Sequence, residues 1–279
     1  MMRTTMGPKK MLRSKLLLAF ASLALAGMLA TPAMAQLAPP NGNRGVSMGH
    51  LHLTVKDVDA QRKFWTDFGG RPVKNGMLDL IEFPGVYIML RQGDPMGGTV
   101  GSVVNHVGFF AKDSAAMAAK WEAAGIKLDK GNAAGQYYIT TADGVRIEIN
   151  ENKTIETPLK FSHVHFAFTE DQIPEVEAWY ARIFDAVPAT GGRLKSGDIA
   201  GAKLTYGIAK EKQAGTKGRA LDHIGFEVPN LDFTYQKLTL QGLKFDAEPR
   251  VVNDGKTKIA FLTDKWGTYI ELTQGLAPK

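Results

Sequence analysis

All six histidines of the chain fall in four short segments: His50 and His52, His106, His163 and His165, and His223. The first histidines of successive segments are 56, 57 and 60 residues apart. Two carboxylates recur in the same rhythm, in Val145-Arg146-Ile147-Glu148-Ile149 and Thr268-Tyr269-Ile270-Glu271-Leu272. In a strand, alternate residues share a face, so His50 and His52 point away from Leu51, Leu53 and Val55. His163 and His165 likewise point away from Val164 and Phe166, and each glutamate lies opposite two aliphatic residues. Repeat position and strand facing together give two triads: His50, His106 and Glu148, then His163, His223 and Glu271. Two imidazoles and a carboxylate with open coordination positions suit Fe(II), Mn(II) or Zn(II), acting as a Lewis acid or an oxygen-activating centre. The chain has no cysteine, so any metal must be held by His, Asp or Glu. Histidines that line a cavity without metal are the competing reading.

The elements that must carry these residues repeat four times. Each histidine segment reads as a short strand by alternation and by β-branched or aromatic content. A capped helical segment follows each one: from Asp57 to Gly69-Gly70, from Asp113-Ser114 to Gly125, from Glu170-Asp171 through Ile183, and from Asn230 to Gly242. Apolar and aromatic residues at 3–4 spacing, such as Phe64, Trp65 and Phe68, or Val176, Trp179, Tyr180 and Ile183, form a stripe facing the core. Short strands with glycine-containing turns complete each unit, as in Leu78-Phe83 and Val86-Leu90.

A four-fold βαβββ repeat with His in each first strand resembles the vicinal oxygen chelate (VOC) superfamily of glyoxalases, bleomycin- and fosfomycin-resistance proteins and extradiol dioxygenases. The resemblance implies an α+β fold in which modules pair into domains, each with a curved mixed sheet around a cavity. The domains expected are 46–152 (modules one and two) and 161–275 (modules three and four). Between them lies a linker at 153–160, and residues 36–45 and 276–279 are a leading linker and a tail. By resemblance to the dioxygenases, a single site would fall on His163, His223 and Glu271. A glyoxalase I site would take a fourth ligand from the last strand of a first module, where this chain has Met89, or Thr205 or Tyr206 in module three. The extradiol signature is only partly kept: Asp264 and Gly267 match, but Phe261 stands where those enzymes place a catalytic tyrosine. In the first half, Tyr138 does stand ten residues before Glu148, which makes it a catalytic candidate.

His52 and His165 have no counterpart in the other two modules, where Gly108 and Gly225 occupy their positions. Each lies one strand repeat, about 6.6 Å, from a proposed ligand. Either a general base or substrate partner, or an additional metal ligand, fits that placement.

The 279 residues carry 34 Lys+Arg against 28 Asp+Glu, a formal charge of +6. Five of the positive charges, Arg3, Lys9, Lys10, Arg13 and Lys15, precede an apolar run from Leu16 to Ala30 and the site Ala33-Met34-Ala35. That pattern reads as a secretory signal peptide, with cleavage expected after Ala35 and a periplasmic or secreted product; an uncleaved membrane anchor is the competing reading, against which the run is shorter than the ~18–20 residues that span a bilayer. The remainder carries 29 positive and 28 negative charges, a net of +1, which gives no general reason to expect nucleic acid or membrane binding, and no stable membrane span is expected after cleavage. No Walker loop, nucleophile elbow or Rossmann fingerprint is present. The expected function is an exported metal-dependent enzyme for a small oxygen-rich or aromatic molecule, with dioxygenase-like chemistry ahead of a lyase or isomerase step. A small-molecule binding protein of the bleomycin-resistance kind is the alternative.

Overall fold

The computed structural model describes residues 1–2, 37–40, 45–189 and 194–276. The expected signal peptide therefore lies outside the described residues. Every element below lies within the unit Met34–Lys279. Among the described residues, no helix is long and apolar enough to cross a membrane.

Module one consists of β1 (Ser47–Val55), α1 (Val58–Phe68), β2 (Arg71–Asn75), β3 (Leu78–Phe83) and β4 (Val86–Gln92). Module two has β5 (Val104–Ala111), α2 (Ser114–Ala123), β6 (Asp129–Lys130), β7 (Tyr137–Thr140) and β8 (Arg146–Glu151). Module three has β9 (Leu159–Phe168), α3 (Ile173–Phe184), β10 (Val187–Pro188), β11 (Lys195–Ile199) and β12 (Ala202–Ile208). Module four has β13 (Leu221–Glu227), α4 (Leu231–Leu240), β14 (Arg250–Val252), β15 (Thr257–Thr263) and β16 (Tyr269–Gln274). The caps act as their residue types require: Asp57, Asp113 and Asn230 each accept a backbone N–H from the first turn of the helix they open.

Within every module the first strand pairs in parallel with the last. Two eight-stranded mixed sheets result, but the modules pair differently from the sequence expectation. Strand β1 runs antiparallel to β13, and β5 runs antiparallel to β9. Modules one and four therefore share one sheet, and modules two and three share the other. The expected split into 46–152 and 161–275 is corrected accordingly, since the 153–160 linker joins two strands of a single sheet.

The connections differ with the pairing. Only seven residues separate β8 from β9, whereas 11 separate β4 from β5 and 12 separate β12 from β13. The short connection keeps its modules in one sheet, and the longer two cross between sheets. These crossovers hydrogen-bond to each other, through Val103 N–H to the Ala214 carbonyl (2.9 Å) and Met96 N–H to the Gly218 carbonyl (2.9 Å). Gly98 and Gly144 pack so closely there that a Cβ on Gly144 would lie 2.8 Å from the Gly98 Cα.

The core lies under the helices, and the aromatic stripes belong to it. Trp65, Phe68, Trp121, Tyr180 and Phe184 are fully buried. Phe68 and Trp121 stack at 4.9 Å between helices α1 and α2, and Trp121 Nε1 donates to the Phe68 carbonyl at 2.8 Å. Asp264 and Gly267, the surviving part of the dioxygenase-like signature, form the β15–β16 turn. Asp264 accepts backbone N–H groups of Trp266, Gly267 and Thr268 and the hydroxyl of Tyr180.

Candidate metal centres

A β-bulge interrupts each central ladder one residue before every first histidine. The β1–β13 register skips Gly49 and Asp222, and the β5–β9 register skips Asn105 and Ser162. A bulge turns its residue out of strict alternation and re-aims the side chain. Asp222 Oδ1 thus lies 2.7 Å from His223 Nδ1, Asn105 Oδ1 lies 2.9 Å from His106 Nδ1, and Ser162 Oγ lies 2.8 Å from His163 Nδ1. Gly49 has no side chain to offer, and His50 Nδ1 is buried without a partner among the described residues.

The first site forms on the sheet of modules one and four. His50 Nε2 and His223 Nε2 lie 3.0 and 2.9 Å from one oxygen of Glu271, Oε2. His52 joins them, so that His50, His52, His223 and Glu271 each offer a donor atom and all four donors lie within 4.8 Å of one another. His50 fits because its cross-strand partner is Gly225: a Cβ there would stand 2.0 Å from the His50 ring. Asp222 is itself held, its Oδ2 accepting the Gly218 N–H at 2.7 Å and Arg91 at 3.2 Å. The site opens into a cavity of about 510 Å³ whose walls include Leu78, Met89, Ile259, Phe261 and Tyr269. Phe261 and Tyr269 stack at 5.3 Å beside the His223 ring.

The second site repeats the plan on the sheet of modules two and three. His163 Nε2 and His106 Nε2 lie 3.0 and 3.3 Å from Glu148 Oε2, and His165 stacks on His106 at 4.2 Å. His106, His163 and His165 meet the same 4.8 Å span. Glu148 differs from Glu271 in its second oxygen, Oε1, which accepts the Tyr138 hydroxyl at 3.0 Å and the Gln136 amide. The cavity here is about 550 Å³ and more polar, with Asn132, Gln136, Tyr138 and Thr205 on its walls.

Electrostatics follows from burial and proximity. Burial works to raise the carboxyls of Glu271 and Glu148, but their paired imidazoles outweigh it and hold both well below the usual carboxylate range. Burial lowers His106, and it lowers His52 and His165 to about 3 with help from the neighbouring imidazoles. Burial also opposes charge on His223, yet hydrogen bonds to Asp222 and Glu271 raise it. Neutral imidazole and ionised carboxylate are the forms that bind metal.

Every histidine and glutamate singled out from sequence thus lies in one of two clusters, together with Tyr138, but the grouping is corrected. His50 belongs with His223 and Glu271, and His106 belongs with His163 and Glu148. Each triad takes its first imidazole from a strand 173 or 57 residues away, because the sheets pair modules one with four and two with three. The donor sets, nitrogen-rich with one carboxylate, fit a divalent first-row metal.

Residues 47–187 match the Glyoxalase/Bleomycin resistance protein/Dioxygenase superfamily. The chain belongs to this superfamily. Among solved structures, glyoxalase I from Zea mays matches at 16% identity over 83% of this chain and 93% of its own, with a TM-score of 0.65. A putative dioxygenase from Bacillus subtilis matches at 14% identity over 86% of each chain, with a TM-score of 0.61. Both likenesses are of fold. No curated protein matches the chain.

Within this superfamily member, sequence reasoning missed Asp222, Asn105, Ser162 and Gln136. The first three were marked by one signal, a polar residue directly before a repeated histidine, which strict alternation assigns to the opposite face.

Proposed function

We propose that the chain is an exported metal-dependent enzyme acting on a small oxygen-rich or aromatic molecule, with its principal centre at His50, His52, His223 and Glu271. One observation carries this reading: four donors from three strands converge within 4.8 Å at the floor of a 510 Å³ cavity. A divalent ion bound there supplies a Lewis acid for two neighbouring substrate oxygens. His52 serves as a fourth donor. It faces Met89 across the β1–β4 register, so β1 provides what a ligand on β4 would. His165 has the same position in the second site, where Thr205 faces it, and Tyr138 orients Glu148.

The aliphatic and aromatic walls of the first cavity favour an aromatic substrate, lying against Phe261 and Tyr269 with its oxygens toward the histidines. Ring cleavage of a catechol by dioxygen is the reaction these features favour, ahead of a lyase or isomerase step. Arg3 to Lys15, the apolar run and Ala33-Met34-Ala35 support export.

Metal analysis of the protein and its His223→Ala and His106→Ala variants tests the reading. Each substitution should remove the metal of its own site and leave the other's. Catechols under oxygen should then give a yellow ring-cleavage product that His223→Ala abolishes. Stoichiometric metal without any such product would favour a lyase or isomerase. Tight ligand binding with neither metal nor turnover would replace the enzyme by a binding protein.

A further inference from the structure

We propose that the two centres are ranked, the first holding its metal 10- to 100-fold more tightly than the second, and that Asp222 is the positioning residue responsible. The inference rests on the reading of both clusters as metal centres, and it comes from how the pseudo-equivalent sites differ.

The ligands of the two sites correspond one to one: His50 to His163, His52 to His165, His223 to His106 and Glu271 to Glu148. Their supports do not. Behind His223 stands a carboxylate, Asp222, at 2.7 Å; behind His106 stands the amide oxygen of Asn105, at 2.9 Å. A carboxylate accepting the Nδ1 proton fixes the tautomer with Nε2 free for metal and makes that nitrogen a stronger donor. An amide fixes the same tautomer without the negative charge. Charge-assisted hydrogen bonds are roughly twice as strong as neutral ones. Asp222 is also ordered from behind, by the Gly218 N–H and by Arg91, which in turn donates to Thr54. The Arg91 side chain is about half exposed, so solvent screens its charge while Asp222 is buried.

Two further differences act in the same direction. Glu271 keeps Oε1 free for a cation, for among the described residues only His50 and His223 side chains bond to it, both at Oε2. Glu148 has Oε1 committed to Tyr138 and Gln136. The donors of the first site also close to within 4.8 Å as a set of four, whereas in the second only the three histidines do. One contact acts in the opposite direction: Ser162 supports His163, while among the described residues His50 Nδ1 has no partner. A neutral hydroxyl is the weaker support, and it does not offset a carboxylate, a free glutamate oxygen and a set of four donors closed within 4.8 Å.

Competition of the metal-free full chain against a chromophoric chelator for Zn(II) tests the ranking. Wild type should bind in two classes separated by 10- to 100-fold, and His106→Ala should remove the weaker class. Asp222→Asn should bring the tight class toward the weak one, and Asn105→Asp should raise the weak class toward the tight one. Thermal melts confirm that each variant is folded, and if Asp222→Asn fails to fold, Asn105→Asp decides. Two classes of equal affinity, or an Asn105→Asp variant that leaves the weak class where it was, would overturn the ranking while leaving the metal centres in place. Absence of Zn(II) binding at both sites would overturn the ranking and the proposed function together.

Discussion

Asp222 and His223 are neighbours in the chain, yet they meet side chain to side chain, with 2.7 Å between Oδ1 and Nδ1. In a regular strand the two would point to opposite faces. The bulge that skips Asp222 in the β1–β13 register brings them together, and the same device acts at Asn105 and Ser162. One extra residue per strand thus adds an outer layer of support to each cluster without an additional element.

Gly225 makes room for His50, and the space admits no side chain. Gly225→Ala would put a methyl group 2.0 Å from the imidazole and force the ring off the Glu271 oxygen. We expect the first site to lose its metal, the second to keep its own, and stability to fall by about 1–3 kcal/mol from overpacking. Metal stoichiometry and a denaturation curve check this; full occupancy of both sites would refute the packing argument.

How much of this was legible from sequence depends on the range of the interaction. The modules, their caps and the inward face of each histidine rest on local periodicity, so Asp57, Asp113 and Asn230 cap the helices they were expected to open. Which module lies beside which depends on the two crossovers and their mutual hydrogen bonds, for which local pattern carries no signal. Repeat position alone therefore groups His50 with His106, although it marks every histidine and glutamate of both clusters. The support from Asp222 was hidden because a bulge breaks the alternation on which the reading of faces relies.

Trp121 couples two helices through its stacking on Phe68 and its bond to the Phe68 carbonyl. Trp121→Ala leaves a large cavity and an unpaired carbonyl. We expect a loss of about 3–5 kcal/mol, read as a lower midpoint in urea, with metal stoichiometry unchanged in the fraction that remains folded. A loss under about 1 kcal/mol would mean that the α1–α2 contact contributes little to the core.

Tyr138 holds Glu148 from behind, at 3.0 Å. Tyr138→Phe leaves Gln136 as the remaining partner of that oxygen, so the carboxylate is freer to turn. The expected result is a tightening of up to about 10-fold in metal affinity at the second site, as Oε1 is partly released to the ion, and no change at the first. Chelator competition in a His223→Ala background isolates the second site; an effect of equal size in a His106→Ala background would show that Tyr138 acts globally.

Protonation should weaken the metal-free protein on mild acidification. His52 and His165 are lowered to about 3, and His106 is lowered too, by burial first and then, for the first two, by neighbouring imidazoles. Unfolded histidines titrate near 6.5, so between those values the unfolded chain binds more protons than the folded one. The stability these histidines contribute is therefore full above about pH 6.5 and declines as pH falls toward about 3. His223 is raised and has the opposite sign, its contribution being present below about 6.5 and lost as pH rises through its folded value. Three lowered groups against one raised leave a net loss in acid, on the order of 1–2 kcal/mol for each of His52 and His165 at about pH 5. Glu148 and Glu271 add their own losses only below the ordinary carboxylate range, because both are depressed. Urea unfolding with chelator present, at about pH 7.5 and about pH 5, gives the difference directly. Replacing both residues by His52→Gln and His165→Gln should flatten it; an unchanged difference would assign the acid sensitivity to groups outside the two centres.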